Sequence, residues 1–549
     1  MGQGARVKAA DATRRRLLLA AASALTACGE RASDGRVTLM SASAPLSKAD
    51  QGWRATWVGT STARGHRLRE AKSGNWPAPA VQRRCSVLIV GGGIAGLAAA
   101  RAFTRAGHDD VHLLELEDQP GGNSRAHQLA GLACPIGAHY LPLPGVHARE
   151  VSELLHELGL LRQVLGRTVA DERHLCHSPQ ERLFIDGAWV DGLLPPADPG
   201  SATQAQYRAF ATAVSLAQRE IGFAMPSHRA PWTAAHQALD AIPFAQWLQT
   251  RGLTDARLRW YLDYCCRDDY GAPADSVSAW AGLHYFASRH GFHAPGDADT
   301  EREPVFTWPE GNAWLARRLA QPLGERLLPG RTVLQVDEGR HGVQVLAWDE
   351  AKQQAEAWQA DTVVMAVPLF IAARLLRSPP AALAQIVPLQ PHAPWLVANL
   401  QIDEPLLQRQ GVPPAWDNVV YGRDDLGYVD ATHQSLSPVA GATVLTAYQS
   451  LNASNRPSLL ADSAETWAQR VLQGLTPLHP DLPAKLRQVA RTRHGHAMSV
   501  PAPGLRGHPA LAALRQQRGR LRFAHADLAG YSVFEEAFTL GCEVAGPSA

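Results

Sequence analysis

Three glycines, Gly91, Gly93 and Gly96, stand in the run Gly91-Gly92-Gly93-Ile94-Ala95-Gly96, a spacing suited to holding a pyrophosphate. The first permits a tight turn, the second lets the backbone approach the phosphates, and the third lets a helix lie close against a strand. Ile94 and Ala95 fall at the start of that helix, where free amides and the helix dipole attract an anion. An apolar run, Val87-Leu88-Ile89-Val90, empties into the loop, and an Ala-rich stretch stopping at Gly107 follows it. A second short apolar run, Val111 to Leu114, ends on Glu115, about 20 residues past the loop, where an acid accepts hydrogen bonds from an adenosine ribose. Strand, loop, helix, strand and acid in this order are the context a dinucleotide site requires.

Just beyond Glu115 the chain reads Gly121-Gly122-Asn123-Ser124-Arg125. Together with the first motif this resembles the flavin-containing amine oxidase superfamily, whose members carry an acid, then Gly-Gly and an Arg at this spacing. The resemblance implies FAD in preference to NAD. Further along, Cys134-Pro135-Ile136-Gly137-Ala138-His139-Tyr140 resembles the segment that passes the flavin ring in polyamine-oxidase-like members. That match puts Gly137, Ala138, His139 and Tyr140 beside the isoalloxazine, with His139 as a proton acceptor, although Pro135 stands where many relatives have an acid. Thr307-Trp308-Pro309-Glu310-Gly311-Asn312 resembles the turn that returns the chain to the flavin domain, and Val333 matches the position whose backbone meets the adenine. Trp395 lies in the segment where many amine oxidases carry a lysine that holds a water at flavin N5. This segment has no lysine, and the lysines beyond residue 27, at 48, 72, 352 and 485, fall elsewhere. At the C-terminal end, 521–527 and 531–545 resemble the closing strand and helix of the superfamily, which implies Asp527 and Phe534 as cofactor contacts. Ala526 and Glu536 replace two glycines there, and are expected to bring side chains to places where relatives use bare backbone.

The elements that must position these residues follow from periodicity. Strands are expected over 86–90, 111–114 and 362–367, with a hairpin over 332–336 and 343–348. From about 150 to 300 the pattern is mostly helical, with helices over 151–161, 205–221, 244–253 and 258–266. That layer holds Tyr261, Tyr264, Tyr270, Trp280, His284 and Tyr285, enough aromatics to line a pocket, and the adjacent Cys265 and Cys266 read as buried helix residues. Strand-rich sequence returns over 395–402 and 443–448. The resemblance implies an α/β fold class, a doubly wound, Rossmann-like FAD-binding domain assembled from discontinuous segments, with an α+β substrate domain. The flavin domain takes 84–150, 306–375 and 516–549; the substrate domain takes 151–305 and 376–515. Residues 28–83 read as a tether with Trp contacts onto the body.

The N-terminus reads as an address. Thr13-Arg14-Arg15-Arg16 precedes an apolar run too short to span a bilayer, closing in Leu25-Thr26-Ala27-Cys28. This resembles a twin-arginine signal, 1–27, joined to a lipobox, which implies export of a folded protein to the periplasmic side and a lipid anchor on Cys28. Losing residues 1–27 removes five basic residues and one acid, so the formal charge moves from +2 to −2. Without a basic excess, nucleic acid is excluded as a natural partner. No metal-ligand spacing is present. Nor is there a second GxGxxG or a CxxC to relay electrons, which points to oxygen or a membrane quinone as acceptor. Three functional readings stand: a flavin oxidase of an amine, polyamines favoured; a flavin dehydrogenase or desaturase of an apolar, isoprenoid-like substrate; and a flavin-binding lipoprotein without turnover.

Overall fold

A computed structural model describes residues 52–70, 76–289, 291–295, 304–434 and 441–546, all within the unit Gly52–Ala549. The expected signal and Cys28 lie outside the described residues. Two sheets organise the rest. The first runs Leu327–Leu328, Val111–Leu114, Val81–Val90, Gln354–Met365, Gly342–Asp349, Arg331–Gly339, with Leu521–Phe523 also paired to Gln354–Met365. Val81–Val90 has parallel neighbours on both sides, and its last four residues are buried, as a central strand covered on both faces must be. The helices Ile94–Arg105 and Phe534–Glu543 pack on each other over this sheet, where Gly541 sits so close that a Cβ would be 2.3 Å from the Ala95 carbonyl oxygen. Strands distant in sequence thus build one nucleotide-binding sheet.

The second sheet has eight strands, ordered Arg54–Trp57, Leu486–Ser499, His392–Ile402, Thr443–Ser450, Tyr428–Asp430, Asp417–Val420, Glu181–Ile185, Ala188–Asp191. On its strand His392–Ile402, Trp395 and Val397 face the flavin-side cavity while Leu396, Ala398 and Leu400 enter a separate core with Trp467 and Leu472. The helical layer contains Ala202–Glu220, Phe244–Thr250, Ala256–Tyr270 and Ala279–Ala287, with Cys265 and Cys266 buried in it.

Two expectations are corrected. The helix expected to reach residue 161 stops at Glu157, and 161–170 form a hairpin, Leu161–Val164 with Arg167–Ala170, turning through Leu165 and Gly166 at positive φ. Thr168, Val164 and Val169 are β-branched and favour the strand, which the apolar spacing alone concealed. Of the stretch read as a tether, 28–83, the described part is built into the fold: Arg54–Trp57 adds a parallel edge strand to Leu486–Ser499, and Thr62–Glu70 is a helix.

Beneath that edge strand Arg491 is fully buried. None of its three guanidinium nitrogens has a hydrogen-bond partner among the described residues, its face lies 5.2 Å from the Trp57 ring centroid, and burial lowers its pKa to about 10. Glu465 attracts this charge through space, but a buried guanidinium without hydrogen bonds still opposes folding. Arg491→Met is therefore expected to stabilise the protein by ~1–3 kcal/mol, by analogy with buried charges replaced by apolar residues. Thermal unfolding of the two proteins checks this, and a lowered midpoint would show that the guanidinium is well paired.

Candidate active site

The strand Val81–Val90 delivers the glycine loop, and the loop is fixed by contacts that only glycine allows. Gly91 has φ +104, and a Cβ on Gly96 would lie 1.9 Å from the Gly91 carbonyl oxygen. A second glycine turn presses onto the first: Gly121 donates to the Gly92 carbonyl at 2.7 Å, and a Cβ on Gly122 would sit 3.1 Å from the Gly93 Cα. Glu115 closes the arrangement, accepting from the Gly92 amide at 2.7 Å and from the Glu117 amide at 2.8 Å. Burial raises its pKa, against the two amide donors and Arg125. Each carboxylate oxygen keeps a lone pair for a ribose hydroxyl.

A single cavity runs from this loop to the second sheet. It is lined by Gly91, Gly93, Ile94, Ala95, Glu115, Gly121, Gly122, Gly137, Ala138, His139, Tyr140, Val333, Trp395, Asp527 and Phe534, so nearly every residue singled out in the sequence meets in one place. Gly96 and Arg125 stand outside that wall. Gly96 lets the helix approach the loop, and Arg125 braces the turn through the Gly122 carbonyl at 2.9 Å and the Gly59 carbonyl. Their part is to hold the cradle's shape.

The cavity fits a flavin dinucleotide. Over Gly93 nothing approaches closer than the Gly122 Cα at 3.9 Å, leaving the loop open to a phosphate. Trp395 Nε1 and Asn312 Oδ1, both in wall residues, are buried without a hydrogen-bond partner among the described residues. Asp527 is fully buried; burial pushes its carboxyl up, yet the neighbouring histidines hold it well below the usual carboxylate range. His525 Nδ1 accepts from the Asp527 amide at 3.1 Å, which leaves His392 Nε2, 3.2 Å from Oδ2, as the partner that donates. The Leu369 amide adds a bond of 2.9 Å. The Thr307–Asn312 turn supports the far wall: Asn312 donates to the Tyr140 carbonyl at 2.8 Å, and its amide to the Ala138 carbonyl at 3.1 Å. Gly137 must be glycine, since a Cβ would fall 2.0 Å from the Asn123 oxygen.

At that far wall His139 stacks on Tyr448 with ring centroids 4.3 Å apart, and Trp416 and Tyr140 complete an aromatic group. Burial works against the proton-accepting role expected of His139. Burial lowers its pKa to about 3, so the neutral ring is a weak base and serves as an aromatic wall. Glu536 is corrected: it points away from the cavity, accepting from the Ser227 amide at 2.5 Å and Tyr531 Oη at 2.7 Å, while its neighbour Glu535 lines the cavity and is pushed up to about 7 by burial.

Sequence reasoning missed Asp268, Asp269 and Arg289, which enter the same cavity from the helical layer. Asp269 faces Arg289 at 3.4 Å, whereas Asp268 accepts from Tyr140 Oη at 3.2 Å and is pushed up to about 7 by burial and by Asp269. The signal was present: Tyr261, Tyr264, Cys265 and Asp268 share one helical face, so an acid sits on a stripe otherwise buried. His392, His494 and His496 also line the cavity from their strands, their alternation being that of one strand face.

The match to the family model for flavin containing amine oxidoreductases extends over residues 94–546. The chain belongs to this family. Polyamine oxidase 4 of Oryza sativa subsp. japonica is 27% identical over 310 residues, covering 55% of each chain. AofH of Mycobacterium tuberculosis, provisionally named a flavin-containing monoamine oxidase, is 29% identical over 286 residues, 51% of this chain and 56% of its own. The chain thus spans little more than half the length of these relatives. A putrescine oxidase solved with bound putrescine superposes with a TM-score of 0.66 at 21% identity, covering 84% of this chain and 98% of that one. The family's cofactor, FAD, is the group the cradle fits.

Gly96→Ala is expected to strip the purified protein of most of its flavin, because overpacking a backbone contact costs ~1–3 kcal/mol. Gly145→Ala, where a Cβ meets nothing within 4 Å, should leave the flavin in place. The ratio of visible to protein absorbance reads both; equal ratios would mean the loop does not hold the cofactor.

Proposed function

We propose that the protein is an FAD-dependent oxidase or dehydrogenase of a cationic amine, with polyamines the favoured substrate class and oxygen or a membrane quinone the acceptor. The observation that carries this reading is the pair Asp268 and Asp269 in the cavity wall, close to the aromatic group of His139, Tyr140 and Tyr448. A buried carboxylate calls for a cation; Arg289 makes its ion pair with Asp269 and acts on Asp268 only through space. Asp417, whose register partner across parallel strands is Glu181, lies near Asp268 but outside the cavity wall, and its carboxyl is also pushed up by burial. A substrate with two ammonium groups answers more of this charge than a monoamine does.

The bound flavin supplies the hydride acceptor. The chain's own residues orient the substrate and exclude water: Tyr140, Tyr448 and His139 form walls against which an alkyl chain packs, Trp416 backs them, and Asp268 fixes the polar end. Trp395 stands near the place of the lysine other amine oxidases carry, and no lysine is among the residues lining the cavity. That feature supports a second reading, oxidation of an apolar, isoprenoid-like substrate, against which the buried acids weigh. Export and anchoring through Cys28 rest on the sequence of the first 28 residues.

Steady-state rates with a four-carbon diamine and with butylamine separate these readings. A buried charge-assisted contact is worth ~1.5–3 kcal/mol, so kcat/KM for the diamine should exceed that for butylamine by roughly 10- to 100-fold. Equal values, or turnover of an isoprenoid alone, would overturn the polyamine assignment.

A further inference from the structure

An amine gives up hydride readily only when its nitrogen is neutral, yet a polyamine arrives as an ammonium ion, and an acid in the wall favours that charged form. One side chain of this cavity can resolve the conflict. Asp268 sits in the last turn of Ala256–Tyr270, next to the left-handed Gly271 that caps the helix, where the helix dipole already disfavours a second negative charge. Its Oδ2 receives the Tyr140 hydroxyl at 3.2 Å, and Tyr140 follows directly on Gly137, Ala138 and His139 in the wall.

We propose that Tyr140 and Asp268 together remove the proton from the substrate ammonium. The N–H bond breaks toward Tyr140 Oη as the Tyr140 O–H proton passes to Asp268 Oδ2, so an ammonium and a carboxylate become a neutral amine and a carboxylic acid. No oxidant or reductant enters this step. The inference rests on the amine reading above.

The groups around Asp268 permit it. Asp269 on its own helix is engaged by Arg289, which follows the next helix and also faces Asp268; Glu181 and Asp417 come from paired strands and oppose the ionised form. The phenols of Tyr261, Tyr264, Tyr285 and Tyr448 are all held neutral by burial. His139, pushed down to about 3, does not compete for the proton, whereas Asp268, at about 7, is ionised at mildly alkaline pH and able to take it. The sign follows: the acceptor works only when ionised, so kcat/KM should rise with pH through about 7.

The test uses the holoenzyme at pH 8 and a diamine whose two amine carbons each carry two methyl groups, so that no α-hydrogen can be removed. Calorimetric titration in buffers of different ionisation enthalpy counts the protons exchanged on binding. In the wild type the proton moves within the complex, so net release to buffer should be close to zero; Asp268→Asn should release about one proton, or bind at least tenfold more weakly. With oxidisable substrate, Asp268→Asn and Tyr140→Phe should each lower kcat/KM by ~10²-fold and lose the limb near pH 7. Their effects should not add. Asp268→Glu should retain the limb, and its loss in Asp268→Asn, where Glu535 is untouched, separates the two carboxylates. Release of one proton by the wild type, or an Asp268→Asn enzyme unchanged in proton count, affinity and pH profile, would overturn the inference. A flavin-loaded wild type that binds no amine would overturn the amine reading itself.

Discussion

The structure depends on the backbone contact between two glycine turns. Gly92 and Gly93 meet Gly121 and Gly122 with no side chain between them, and the Glu115 carboxylate ties the first turn to the end of the neighbouring strand. This closeness fixes where a pyrophosphate can lie and therefore the line along which the rest of the cofactor extends. Val333, Asp527 and the 137–140 segment reach that line from three distant parts of the chain. The parallel pairing of Val81–Val90 with Gln354–Met365, and of the latter with Leu521–Phe523, brings those parts together.

The second sheet and the helical layer meet this frame at the other end of the cavity, where, on the proposed reading, the physical problem changes from holding an anion to admitting a cation. Aromatic rings provide a dry surface, and the end of Ala256–Tyr270 provides two carboxylates, one matched internally by Arg289 and one turned to Tyr140. A site that both attracts an ammonium and must neutralise it needs an acid whose proton affinity is raised, and burial beside a like charge accomplishes this for Asp268.

The cofactor end was legible because its chemistry is written in short local runs: glycines that no other residue can replace, an acid after a strand, and an aromatic after Gly-Ala-His. The substrate end was not. Asp268 stands on a helix face next to tyrosines, and its meeting with Tyr140, 128 residues earlier in the chain, is a tertiary fact with no local signature. His139 was conspicuous in sequence, but burial lowers its basicity and reduces its part to packing. Glu536 occupies a position where relatives have glycine, and the helix Phe534–Glu543 turns it toward Ser227 and Tyr531, out of the cavity. The hairpin at 161–170 and the edge strand Arg54–Trp57 were misread for a related reason, since short strands depend on partners far away in sequence.

On the proposed reading, a flavin held by the glycine turns faces a cavity that admits a cationic amine. Anaerobic titration of the purified holoenzyme with putrescine and spermidine, followed through the visible absorbance of the oxidised flavin, tests it most directly. The account predicts bleaching by a stoichiometric amount of at least one of these amines and recovery of the band when oxygen or a quinone is admitted. A yellow protein whose band no amine bleaches would contradict it.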